Sequence, residues 1–131
     1  MPITFSINHE NGYSIAKFKG RISDDELLNA YKSFYTGEDW RPGLNELVDF
    51  SDADLKEITI EGIRNLAKLA ENVFKAHNII SVKTAVYAPK DFSFGLSRMY
   101  EAISFESPEN VNVFRDILEA EMWLKKENTG K

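Results

Sequence analysis

The stretch LVDFSDADLKEITIEGIRNL, residues 47–66, decides the fold class. It opens as an apolar run carrying Asp49, passes through an acid-rich segment, and then steps into a helical pattern around Gly62. Ile60, Ile63, Ala67, Ala70 and Phe74 recur every three or four residues, the spacing of one buried helix face. By contrast, NELVDF (45–50) is short and bounded by polar residues, as a buried strand is. The alternation continues downstream. SVKTAVYA (81–88) and NVNVFR (110–115) read as strands, with Phe92, Leu96, Met99, Tyr100 and Ile103 marking a helix between them. A last helix opens at Asp116, where Glu119 completes a capping box and Ala120, Trp123 and Leu124 form the inner face.

Upstream, residues 3–8 and 13–19 are β-like runs flanking ENGY, and Asn11-Gly12 suits the positive-φ positions of a type I′ hairpin turn. In SDDELLNAYKSFY, Ser23 and Glu26 form another capping box ahead of Leu27, Tyr31 and Phe34 at helical spacing. Repeated strand-helix-strand units imply parallel strands joined by right-handed crossovers. The expectation is one α/β domain over residues 1–131: a small mixed sheet of about five strands, an antiparallel hairpin plus parallel strands, with four helices.

Composition narrows the function. The 131 residues are 43% apolar, enough for a core without staples. There is no cysteine, which removes disulfides, thiolate catalysis and cysteine-ligated metal. The net charge of −5 opposes attraction to phosphate backbones, so nucleic acid is not expected as a partner. MPITFSINHENGY has no basic region followed by an apolar one, and no run approaches the roughly 18 apolar residues of a membrane span. A cytoplasmic protein without a transmembrane segment is expected.

The order hairpin, helix, LVDFS, helix, TAVYAP, FGLSRMYE, NVNVFRDILEAEMWL resembles the SpoIIAA-like branch of the STAS superfamily over nearly the whole chain. The ending carries most of the likeness: Val113-Phe114-Arg115, then Glu119-Ala120 and Trp123-Leu124. The resemblance implies a SpoIIAA/STAS-like sheet. It also bears on the segment after the central strand, where anti-sigma-factor antagonists of the superfamily carry Asp-Ser-Ser-Gly-Leu and are phosphorylated on the serine before glycine. With Gly62 on that glycine, Thr59 and Ile60 stand in the Asp-Ser positions and Glu61 replaces the acceptor serine. Ser51 and Thr59 are hydroxyls nearby but off the pattern. Glu61 reads either as a fixed negative charge mimicking phosphoserine or as an acid complementing the dipole of a first helical turn, and Thr59 reads as an N-cap.

Other chemistry finds little purchase. Asp49, Asp52, Asp54 and Glu57 cluster after a strand end, where phosphotransferases of the haloacid-dehalogenase and receiver types place a nucleophile and Mg²⁺ ligands. The former would want a second Asp where Ser51 stands, and the latter an acidic pair on the first strand. His9 adjoins a turn and His77 ends a helix. No Gly-x-Ser-x-Gly elbow, phosphate loop or Gly-x-Gly-x-x-Gly occurs.

Binding is better supported. Aromatics make up 12% of the chain, and PKDFSFG places Phe92 and Phe94 two apart at a helix entrance, so both cannot face one interior. Arg98 follows Gly95 on the same helix. The resemblance extends to lipid carriers of the CRAL-TRIO type, which implies a hydrophobic ligand between the third helix and the sheet. The resulting expectation is a non-catalytic regulatory or protein-interaction module, including self-association, with no cofactor. The alternatives are a carrier or sensor of a lipid-like small molecule and, third, a Mg-dependent phosphotransfer enzyme using the Asp49 loop. Candidate binding residues are Asp49, Ser51, Thr59, Glu61, Phe92, Phe94 and Arg98.

Overall fold

Strands β1 (Ile3–Asn8) and β2 (Tyr13–Arg21) pair antiparallel, with Asn8 opposite Tyr13. Their connection differs from the expected type I′ turn. Four residues, 9–12, separate the last pair, and only Gly12 among them has positive φ, at 74°. A type I′ turn would need Asn11 there too; instead the Gly12 N–H donates to the Asn8 carbonyl at 2.8 Å, and Asn8 Oδ1 accepts from the Asn11 N–H.

The computed structural model describes residues 2–126. After the hairpin come α1 (Asp24–Thr36), β3 (Asn45–Asp54), α2 (Ile60–Ala76), β4 (Val82–Tyr87), α3 (Asp91–Ile103), β5 (Glu109–Phe114) and α4 (Ile117–Lys125). The strands lie in chain order, β2 to β5 mutually parallel. This is the expected mixed sheet with four helices. β3 runs four residues beyond the expected Phe50, because Asp52, Ala53 and Asp54 pair with Lys19, Gly20 and Arg21 after a register shift at which β3 carries the extra residue. Half of the acid-rich segment is therefore strand.

Local chemistry sets the helix limits. The Ser23–Glu26 capping box opens α1, and Thr59 caps α2 by accepting from the Gly62 N–H. α2 ends in a Schellman motif: Asn78 takes φ of 59°, the Ile79 N–H bonds to the Phe74 carbonyl, and the Asn78 N–H to that of Lys75. At α4, Asp116 accepts from Leu118, the second helical residue, rather than the third as a capping box requires.

Two cores follow from strand alternation. Ala16, Phe18, Val48, Val82, Val86 and Val111 face α1, α2 and α3, whose Leu27, Tyr31, Ile63, Ala70 and Phe74 complete that layer. On the opposite face Tyr13, Leu47 and Ala85 meet Ala120 and Leu124 of α4. Sequential strands with right-handed crossovers put the three connecting helices together, leaving the second face to α4. α3 departs from the expected inner face. Its buried residues are Ser93 and Ser97, while Phe92 and Ile103 are exposed. The Ser93 and Ser97 hydroxyls donate to the Lys90 and Ser93 carbonyls, so these polar residues are satisfied within the helix while their small size allows close packing. Ile60, likewise expected inside, is exposed in the first turn of α2. Among the described residues no helix is long and apolar enough to cross a membrane.

Candidate functional site

Glu46, one residue into β3, lies in register with Ser14 of β2 and Thr84 of β4. Alternation along β3 puts it on the same face as Val48, toward the three helices. Two strands away, Glu109 opens β5 on that face, two residues before Val111. The two residues are 7% and 5% exposed.

Helix tyrosines meet them. Tyr31 of α1 donates to Glu46 Oε2 at 2.7 Å. Glu109 has both oxygens engaged, Oε1 by the Tyr100 hydroxyl of α3 at 2.5 Å and Oε2 by Thr84 Oγ1 at 2.6 Å. Glu46 Oε1 has no hydrogen-bond partner among the described residues. The fully enclosed side-chain polar atom left without one is Ser104 Oγ, so Oε1 borders open space.

That space is a cavity of about 60 Å³ between the sheet and α1, α2 and α3, bordered by both glutamates. Its walls are otherwise mostly apolar, including Phe18, Leu27, Val48 and Val86. A single water needs about 10–15 Å³ of such space, so the cavity has room for roughly four to six atoms of that size. Phe50, Leu66 and Leu96, on β3, α2 and α3, are half-buried apolar residues of its lining and mark the side nearest solvent.

The electrostatics follow from burial. Desolvation pushes the Glu46 carboxyl up to about 8, partly opposed by the Tyr31 hydrogen bond and reinforced by Glu109. Desolvation also raises Glu109, against the bonds from Thr84 and Tyr100. Tyr31, Tyr35 and Tyr100 are raised well above their ordinary value, burial first and the carboxyls second. Near neutral pH Glu46 is therefore largely a neutral acid. No Lys, Arg or His lines the cavity among the described residues.

The residues singled out in the sequence lie outside this cavity, and of the strand-end candidates the fold brings Asp49 and Ser51 into contact, the Ser51 N–H donating to Asp49 Oδ1 at 2.9 Å. Lys17 Nζ sits 3.2 Å from both Asp49 and Asp52, and 3.4 Å from Ser51 Oγ. Partial burial raises the Asp49 carboxyl, but bonds from Ser51 and Lys17 outweigh this and hold it below its ordinary value. Among the described residues no group of three His, Cys, Asp or Glu could hold a metal ion. Thr59 donates from its N–H and hydroxyl to Asp24 at 2.9 and 2.5 Å, tying the starts of α2 and α1 together, and Glu61 is exposed in the first turn. Phe92 is 50% exposed. The Phe94 ring lies 4.1 Å from the Arg115 guanidinium, which also bonds Asp91. Arg98 pairs with Glu101 on its own helix. Neither Phe92 nor Phe94 borders the cavity, to which α3 contributes Leu96, Ser97 and Tyr100.

Sequence reading missed Glu46 and Glu109 because each looks like polar punctuation at a strand's start. A signal was present: each is in phase with core-facing residues, Glu46 with Val48 and Glu109 with Val111, so period-two alternation carries a carboxyl inward.

No family model and no curated protein matches the chain. Among solved structures, it is similar to an uncharacterized protein of the DUF3478 family with a SpoIIAA-like fold, from Shewanella loihica PV-4. The similarity covers 93% of this chain and 91% of that one, at a TM-score of 0.57 and 16% identity. The chain thus has a SpoIIAA-like α/β fold.

Proposed function

We propose that this SpoIIAA-like protein is a non-catalytic binding protein for a small, mostly apolar molecule, held between the sheet and α1–α3. The observation that carries this reading is Glu46 Oε1, an oxygen with no hydrogen-bond partner among the described residues, on a buried residue bordering an apolar cavity. Unlike Ser104 Oγ, which is fully enclosed, this oxygen is open to the cavity and so is placed to bond a molecule held there. The cavity volume favours a short molecule over a long-chain lipid, unless α2 and α3 part to admit more. Native mass spectrometry of the purified protein, together with titration by 1-butanol followed through the resonances of Leu96 and Val86, tests this. Saturable shifts at those residues, or a retained small adduct, are expected. A bare mass with no saturable response would overturn the reading.

A second reading, a protein-interaction module, rests on the outer face of α4. There Leu118 and Met122 stand one helical turn apart, 63% and 69% exposed. A sedimentation profile that changes with concentration, and that Met122→Lys reverses, is the expected result for self-association through this face. A concentration-independent monomer would count against it.

A further inference from the structure

We infer that the cavity is selective for a primary ammonium group on a short apolar chain, with Glu46 as its counter-ion. This rests on the small-molecule reading above and specifies the ligand's polar end. An ammonium brings three donors and no acceptor, and the polar groups bordering the cavity suit that demand. In the ionised carboxyl Glu46 Oε1 is free to accept, Oε2 being engaged by Tyr31. Tyr35 also borders the cavity, and a phenol oxygen can accept as well as donate. The Tyr31 hydroxyl, which donates to Glu46, keeps lone pairs to offer.

The converse choice is disfavoured by charge. A carboxylate or phosphate ligand would enter a site with two acids and no cation, where each acid would have to stay protonated and the ligand's charge would go uncompensated. A neutral alcohol fits but draws on no charge-assisted bond. Polarity thus separates amine, alcohol and acid of equal length, although their apolar parts would fit the walls equally well.

Binding an ammonium requires the Glu46 carboxylate. Every titratable group facing it is an acid: Tyr31 and Tyr35 from α1, Tyr100 from α3 and Glu109 from β5, with Thr84 from β4 as the neutral neighbour. The tyrosines stay neutral well past pH 10. Glu46, raised to about 8, then gives up its proton on binding. Close to one proton should be released per ligand at pH 7, and affinity should rise about tenfold per pH unit between roughly pH 6 and 7.5.

Calorimetric titration with n-butylamine, 1-butanol and butanoate at pH 7, in two buffers of different ionisation enthalpy, tests the inference. Butylamine is expected to bind about tenfold more tightly than butanol, with butanoate weakest and a proton released only with the amine. In Glu46→Gln the amine should bind no more tightly than the alcohol. Equal binding of butanol and butylamine by the unmodified protein, preference for butanoate, or amine binding without proton release would overturn the ammonium assignment while leaving the small-molecule reading intact. If none of the three binds, both fall.

Discussion

Glu46 is ionised in the unfolded chain at neutral pH, yet largely protonated once folded, because burial lifts its carboxyl from an ordinary 4.5 to about 8. Folding therefore takes up a proton between those values. The sign follows: the stability tied to this group is fully present below pH 4.5 and declines by about 1.4 kcal/mol per unit as pH rises toward 8. Glu46→Gln, neutral at every pH, should flatten that slope in urea unfolding across pH 5–8 and leave the variant the more stable protein near pH 8. An unchanged slope would show that Glu46 is not the group concerned. Gly62 offers another test. A Cβ there would overlap the Asp24 carboxylate, which cannot retreat without losing its two bonds from Thr59. Gly62→Ala should cost about 1–3 kcal/mol, and less when Asp24→Ala has already cleared the space, a coupling readable in a double-mutant cycle. The glycine of TIEGI thus has a packing role between α1 and α2.

Among the elements, α4 hangs on a buried lysine. Lys83 points to the face opposite Glu46 and donates to the Trp123 and Lys126 carbonyls at 3.1 and 2.9 Å, satisfying the last turn and complementing the negative end of the dipole. Its Nζ also lies 5.2 Å from the centre of the Trp123 ring. Lys83→Met keeps the apolar stem but removes the donor to both carbonyls, leaving that of Trp123 with the Lys126 N–H alone. It should lose roughly 2–3 kcal/mol, with hydrogen exchange accelerating first in α4. Uniform acceleration throughout the sheet would argue against this local role. α3 is held differently. Its serine face lies close to the sheet, and the Arg115 guanidinium binds the Pro89 carbonyl and Asp91, pinning the helix entrance to the end of β5.

On the scale of the whole molecule, the cavity is a local weakness in the larger core. Leu96 borders it from a half-buried position on α3, and Leu96→Ala should cost about 2 kcal/mol while widening the side nearest solvent. Binding should then shift in favour of longer amines such as n-hexylamine over n-butylamine in the same calorimetric assay. Identical selectivity would locate binding away from this wall. What the sequence determined unaided was the alternation of elements, since hydrophobic period and caps are local properties: Ser23 with Glu26 and the Ile63–Phe74 stripe needed no knowledge of the rest of the chain. The likeness to SpoIIAA-like proteins was legible in the same way, from the order of those elements and the ending Val113–Leu124. Only the tertiary structure decided that Lys17 lies between Asp49 and Asp52, that Gly62 meets Asp24, and that Glu46 and Glu109, 63 residues apart, line one cavity. The physical reason is that a carboxyl's environment is set by which strands and helices close over it, and sheet register brings together residues whose separation along the chain leaves no periodic trace.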